Sequence, residues 1–238
     1  MKKLFIVLIL LVLPINSWAH GIWITDRFGE PSIVYGHGAS DDAYTPDKLV
    51  SALAINKSGQ VIPARTIKTN SHINVRLPKE TKAVAATFDN GYWTKDTKGK
   101  WHNLKKHEVP NSVSSGHYLK YTTFIPPRSP GYSKPFGFPL EIIALENPHK
   151  LSKGDNLSLQ ILLNGKPVEG LGVISDYVND DSAPKILTDK EGKVTVTIRN
   201  QGLNVIAVAT ETKLKDTTDA DQEGYFTTLS FALEHSHD

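Results

Sequence analysis

Cysteine is absent from the chain. That excludes disulfide staples, thiolate metal sites and cysteine nucleophiles at once, and it leaves stability to apolar cores. A glycine-rich loop opening a helix is missing, so no phosphate cradle is expected. No Gly-x-Ser-x-Gly elbow is present, which removes the common serine-hydrolase arrangement. Carboxylates are many but scattered, and no pair stands out as an acid–base couple. Amphipathic helical periodicity is also lacking, apart from one short turn after Pro46. After residue 19 no apolar run is long enough to cross a bilayer, so membrane insertion of the remaining chain is not expected.

The first nineteen residues carry the strongest single signal. Lys2 and Lys3 precede an unbroken apolar run from Leu4 to Leu13, Pro14 ends it, and Ser17-Trp18-Ala19 puts small residues where a signal peptidase needs them. The expectation is a cleaved secretory leader over 1–19, a periplasmic location, and His20 as the first residue of the mature protein. The 238 residues less 19 leave 219, enough for one large or two ordinary domains. The 27 Lys and Arg less the two leader lysines leave 25, against 25 Asp and Glu. A balance near zero argues against nucleic acid or an anionic membrane surface as partner.

What is present reads as strands and turns. Apolar and polar residues alternate over Ser71–Leu77, Asn156–Ile161 and Lys193–Ile198, the period of half-buried strands. Lys82–Phe88 and Asn204–Thr210 read as buried strands. Turns are expected at Lys57-Ser58-Gly59, Asp89-Asn90-Gly91, Asn164-Gly165 and Asp189–Gly192. Ile125–Pro139, with prolines at 126, 127, 130, 135 and 139, cannot join a regular ladder and reads as a linker. The expected fold class is all-β, with two β-sandwich domains. The first covers 20–138 and ends in the proline-rich linker. The second covers 139–238, is immunoglobulin-like or transthyretin-like, and ends in a short His-containing tail.

Histidine is the informative residue type, with nine in the chain. Cleavage before His20 would give one residue both an α-amine and an imidazole Nδ1, which close a six-membered chelate ring on a borderline metal. The amine, with a pKa of about 7.7–8.0, is largely available near neutral pH. Imidazole suits nickel, cobalt, copper and zinc. His37, between two glycines in Val34-Tyr35-Gly36-His37-Gly38, lies one strand away, so a hairpin could bring it to His20. His117, after a Ser-Gly turn, is the first choice to complete the set. His235 and His237, in Glu234-His235-Ser236-His237-Asp238, resemble a metal-catching tail. His72, His102, His107 and His149 read as structural. Tyr92, Trp93 and Trp101 flank a turn and could form a sugar-stacking face, though such residues more often fill a core.

Several motifs together resemble an exported family of unknown function, domain of unknown function 4198, described as a periplasmic component of cobalt or nickel ABC-type transport systems. They are Ala-His-Gly-Ile-Trp at 19–23, Val34–Gly38, Tyr44-Thr45-Pro46-Asp47-Lys48, Asp89–Trp93 running into Gly99-Lys100-Trp101, Pro139–Pro148, and Asp155 through Gly165-Lys166-Pro167. The resemblance spans essentially the whole mature chain. It implies two β domains and a non-enzymatic protein that binds nickel or cobalt outside the inner membrane for delivery to a metal-transport permease. It implies His20 and His37 as ligands. Two other readings stand beside it. One is a structural or adhesive module with no metal affinity beyond that of a surface histidine. The other is a copper-dependent oxidative enzyme using the same N-terminal histidine, which would need a flat aromatic substrate face.

Overall fold

The structure is a computed structural model, and it describes residues 20–233. Among these residues the regular elements are strands and three short 3-10 turns, one of them at Pro46–Lys48. In chain order the strands are β1 Gly21–Arg27, β2 Glu30–Gly36, β3 Leu49–Ile55, β4 Val61–Pro63, β5 Arg65–Lys68, β6 Ile73–Arg76, β7 Ala83–Asp96, β8 Trp101–His102 and β9 Ser112–Ile125. After a strand-free connection come β10 Leu140–Ala144, β11 Asn156–Leu163, β12 Lys166–Pro167, β13 Gly172–Ile174, β14 Ile186–Leu187, β15 Lys193–Thr197, β16 Leu203–Lys213 and β17 Gln222–Ala232. The chain is all-β, as its alternating pattern predicts.

Three sheets are stacked. The central one has nine strands and runs β14-β13-β16-β17-β9-β7-β3-β4, with β8 added on β7. One of its faces is covered by β10, β11, β12 and β15, the other by β1, β2, β6 and β5. Strand alternation explains how one sheet serves two cores. On β17, Tyr225, Leu229 and Phe231 enter the core shared with β10 and β11, while Phe226 enters the one beneath β1 and β2. On β9, Tyr121 and Ile125 face the first core and Phe124 the opposite side. Each fully buried side chain of this size contributes about 1.5–3 kcal/mol.

The proline-rich stretch 126–139 carries no strand, as expected. The two halves on either side of it nevertheless share one sheet, because β17 runs parallel to β9 from Gln222↔Gly116 to Phe231↔Ile125. Asp89-Asn90-Gly91, expected as a turn, lies inside the fourteen-residue β7, where the register slips between Asp89 and Tyr92. The Asn-Gly pair makes a bulge, with Gly91 at φ 81° and its N–H donating to Asp89 Oδ1 at 2.7 Å. A bulge and a hairpin turn use the same residues, so the local sequence did not separate them. Among the described residues no helix is long and apolar enough to cross a membrane.

Candidate functional site

The β1–β2 hairpin is closed by the two residues Phe28 and Gly29, both at positive φ (55° and 85°), the geometry of a tight two-residue turn. Asp26 Oδ1 accepts from the Gly29 N–H at 2.8 Å and braces it. A two-residue turn fixes the register, here from Arg27↔Glu30 to Gly21↔Gly36. The next facing positions beyond the ladder are His20 and His37. The hairpin thus brings these two residues to one end of the fold.

Each imidazole is held by a carboxylate on one nitrogen. His20 Nε2 lies 3.1 Å from Asp42 Oδ2, and its ring stacks on Tyr35 with centroids 5.0 Å apart and planes 9° apart. His37 Nδ1 lies 2.8 Å from Asp181 Oδ2. The other ring nitrogens, Nδ1 of His20 and Nε2 of His37, have no hydrogen-bond partner among the described residues. Burial lowers the His20 pKa below its ordinary value; Lys120 and His37 act the same way, and Asp42 opposes them. A neutral ring is the form that can donate a lone pair to a metal.

The surrounding shell comes from both halves of the chain. The Tyr177 hydroxyl donates to Gly36 O at 3.0 Å. Tyr35 donates to Asn90 Oδ1 at 3.1 Å, and Lys48 Nζ reaches the same oxygen at 2.9 Å. Lys120, only 4 % exposed, donates to the carbonyl of His20. The turn after β2 folds back tightly, with Ser40 N–H donating to His37 O at 3.1 Å and His37 N–H donating to Ser40 Oγ at 2.7 Å. This turn needs glycine at 36, where a Cβ would come 2.1 Å from Ser40 O. Gly36→Ala is expected to destabilise the protein by about 1–3 kcal/mol through overpacking. Thermal unfolding would show this as a drop of about 2–4 °C per kcal/mol in a chain of this size. An unchanged midpoint would contradict the close approach.

His117 does not join the pair. On β9 it alternates with Lys120 to the opposite face of the central sheet. Its Nε2 is 2.9 Å from Asp89 Oδ1, its Nδ1 is 3.5 Å from Glu223 Oε1, and its ring stacks on Tyr92 at 4.4 Å. With both nitrogens engaged it is poorly placed to complete the His20 and His37 set, because odd and even positions of one strand cannot face the same way. His235 and His237 lie outside the described residues, as does the leader expected over 1–19. His72, His102, His107 and His149 each have a local partner: Thr69, Asp96, Asp219 and the Ile125 carbonyl. Tyr92 is covered by His117 on one side and approached by Lys105 Nζ at 5.2 Å, so it does not present a bare aromatic platform.

No group of three or more His, Asp or Glu side chains among the described residues is arranged to hold a metal ion. The two free ring nitrogens would need a third donor, and an α-amine on His20 is the one such group that processing would add beside them. Asp42, Asp181 and Lys120 had no signal in the sequence. The two carboxylates sit in loops whose fold-back could not be read, and a lysine in the middle of a strand reads as an outward-facing residue.

A family profile described as domain of unknown function (DUF4198) matches residues 17–212. A protein of Haemophilus influenzae (strain ATCC 51907 / DSM 11121 / KW20 / Rd) described as uncharacterized is 29 % identical over 215 residues, which covers 90 % of each chain. No solved structure matches.

Proposed function

The chain belongs to the DUF4198 family, and from that premise and the geometry at His20 we propose that it is an exported binding protein for a divalent transition metal, nickel or cobalt, serving uptake. The leader is removed at Ala19, and the mature protein starts at His20 in the periplasm. The metal is cargo, held by the amine and Nδ1 of His20 and by Nε2 of His37, then passed to a membrane permease complex.

One observation carries the reading. Asp42 engages the ring nitrogen of His20 remote from its amine, which leaves Nδ1, the nitrogen able to close a chelate ring with that amine. Asp181 engages Nδ1 of His37 and leaves Nε2. Carboxylates behind ligand imidazoles fix the ring orientation and the tautomer and raise the basicity of the free nitrogen. Three nitrogen donors suit nickel and cobalt. They suit Cu(II) at least as well, so affinity in vitro does not identify the physiological metal. The copper-oxidase reading lacks a supporting observation of comparable weight, since Tyr92 is covered.

The test is calorimetric titration of metal-stripped protein that begins at His20, with Ni(II) and Co(II). His37→Ala is expected to weaken binding at least about tenfold, beginning where the loss of a partner behind a ligand begins. His117→Ala is expected to leave it unchanged. Equal losses in the two variants, or none in His37→Ala, would refute the assignment.

A further inference from the structure

β1 is an edge strand, paired with β2 on one side only. An unpaired row of carbonyls is normally left to water or covered. Here it lies across the central sheet, and side chains rising from that sheet meet alternate carbonyls. Thr228 Oγ1 donates to Ile22 O at 2.7 Å, and Ser230 Oγ donates to Ile24 O at 2.8 Å. Lys120 donates to His20 O. The three acceptors, on His20, Ile22 and Ile24, step by two from the residue before β1 into the strand. The donors keep the same step: Thr228 and Ser230 are two apart on β17, and Lys120 is registered beside Phe226, two before Thr228. A side-chain ladder therefore replaces the missing strand, and its last rung ends on His20.

That rung is chemically unlike the others. Two short hydroxyls serve the inner positions, while the outermost is a buried lysine with no carboxylate partner among the described residues. Lysine is almost never fully buried unless paired, and the retained cost points to a task at that place. Chain ends fray unless they are tied down. The His20 imidazole is tied by Asp42 and by the face of Tyr35, and the amide that follows is tied by Lys120. Fixing both ends of the residue fixes its Cα, and with it the direction in which the amine points.

We propose that Lys120 is the positioning residue of the N-terminal chelate: it anchors the carbonyl of His20 so that the amine and Nδ1 of that residue are presented together toward His37. This rests on the reading of His20 as a chelating terminus. It assigns Lys120 a role in metal capture although it touches no metal.

The experiment compares Lys120→Met with Ser230→Ala in protein beginning at His20. Ni(II) affinity is read by calorimetry, and the Cu(II)-loaded form by electron paramagnetic resonance. Lys120→Met is expected to bind Ni(II) about 10–100-fold more weakly, the range for lost partners behind a ligand, with altered copper hyperfine splitting as the amine shifts. Ser230→Ala removes an equivalent rung and is expected to keep the wild-type affinity and spectrum, whatever its melting temperature. Wild-type affinity and spectrum in Lys120→Met would overturn the proposal, as would equal changes in both variants. Should Lys120→Met fail to fold, lysine ε-13C resonances of the wild-type protein decide: Zn(II) loading is expected to move the buried lysine signal, and a static signal overturns the proposal. Wild-type protein that binds no Ni(II) would bring down the chelate reading itself, an outcome distinct from a silent Lys120.

Discussion

One methionine placed ahead of His20 is expected to lower Ni(II) affinity by about a hundredfold or more, beyond the usual 10–100-fold loss for a partner that only supports a ligand. The extra residue converts the amine of His20 into an amide. An amide nitrogen has no basic lone pair near neutral pH, so the chelate ring opens and two separate imidazoles remain. The change is specific in another respect: His20 keeps its stack on Tyr35 and its bond to Asp42, and His37 keeps Asp181. Stability should therefore hardly move while affinity collapses. Side-by-side titration of protein beginning at His20 and of the extended one measures it, with mass spectrometry confirming the first residue of each. Matching dissociation constants would leave the amine without a role.

The second large effect concerns pH and the fold. Burial pushes the Lys120 ammonium down to about 7, with Lys48 adding a like-charge push. In the unfolded chain the same group titrates near 10.4. Below about pH 7 both states carry the proton, and the cost of burying the charge is present in full. Between these values the unfolded chain binds the proton and the folded chain does not, so stability rises with pH, with a slope approaching about 1.4 kcal/mol per pH unit from this group. The His20 shift lies lower, since its ordinary value is 6.5. Tyr44, Tyr121, Tyr177 and Tyr225 are all held above the ordinary tyrosine range by burial, so they lower stability only above about pH 10. The window is therefore about pH 7 to 9.5, in which Lys48, also lowered by burial, adds to the rise in the same direction. Urea denaturation of the metal-free protein across it should show the climb, and Lys120→Met should make it shallower. A wild-type curve as flat as that of the variant would mean that Lys120 keeps its charge in the folded state.

Much of the fold was readable because strand alternation is local. Asn156–Ile161 and Lys193–Ile198 became most of β11 and all of β15 with the predicted faces inward: Leu157, Leu159, Ile161, Val194 and Val196 are all buried. Sheet order was not local. That β17 would lie beside β9 depends on matching strands a hundred residues apart, and a proline-rich stretch between them suggested separation instead. At the site, the pairing of His20 with His37 was legible because a two-residue hairpin turns sequence distance into register. His117 was not, because its face depends on β9 lying in the central sheet. Asp42, Asp181 and Lys120 depend on how loops and layers stack, for which no period in the sequence speaks.

The side chains that seat β1 belong to the final strand: Thr228 and Ser230 reach Ile22 and Ile24 across 206 positions of sequence. Such distant closures are slow to form, because the intervening chain must give up its freedom before the contact repays it. If the chain is exported from its first residue, as proposed, His20 crosses early but is not seated until nearly everything behind it has followed. The hairpin sets His20 opposite His37 locally, but the contacts that seat this end of β1 on the central sheet close only at the end of assembly.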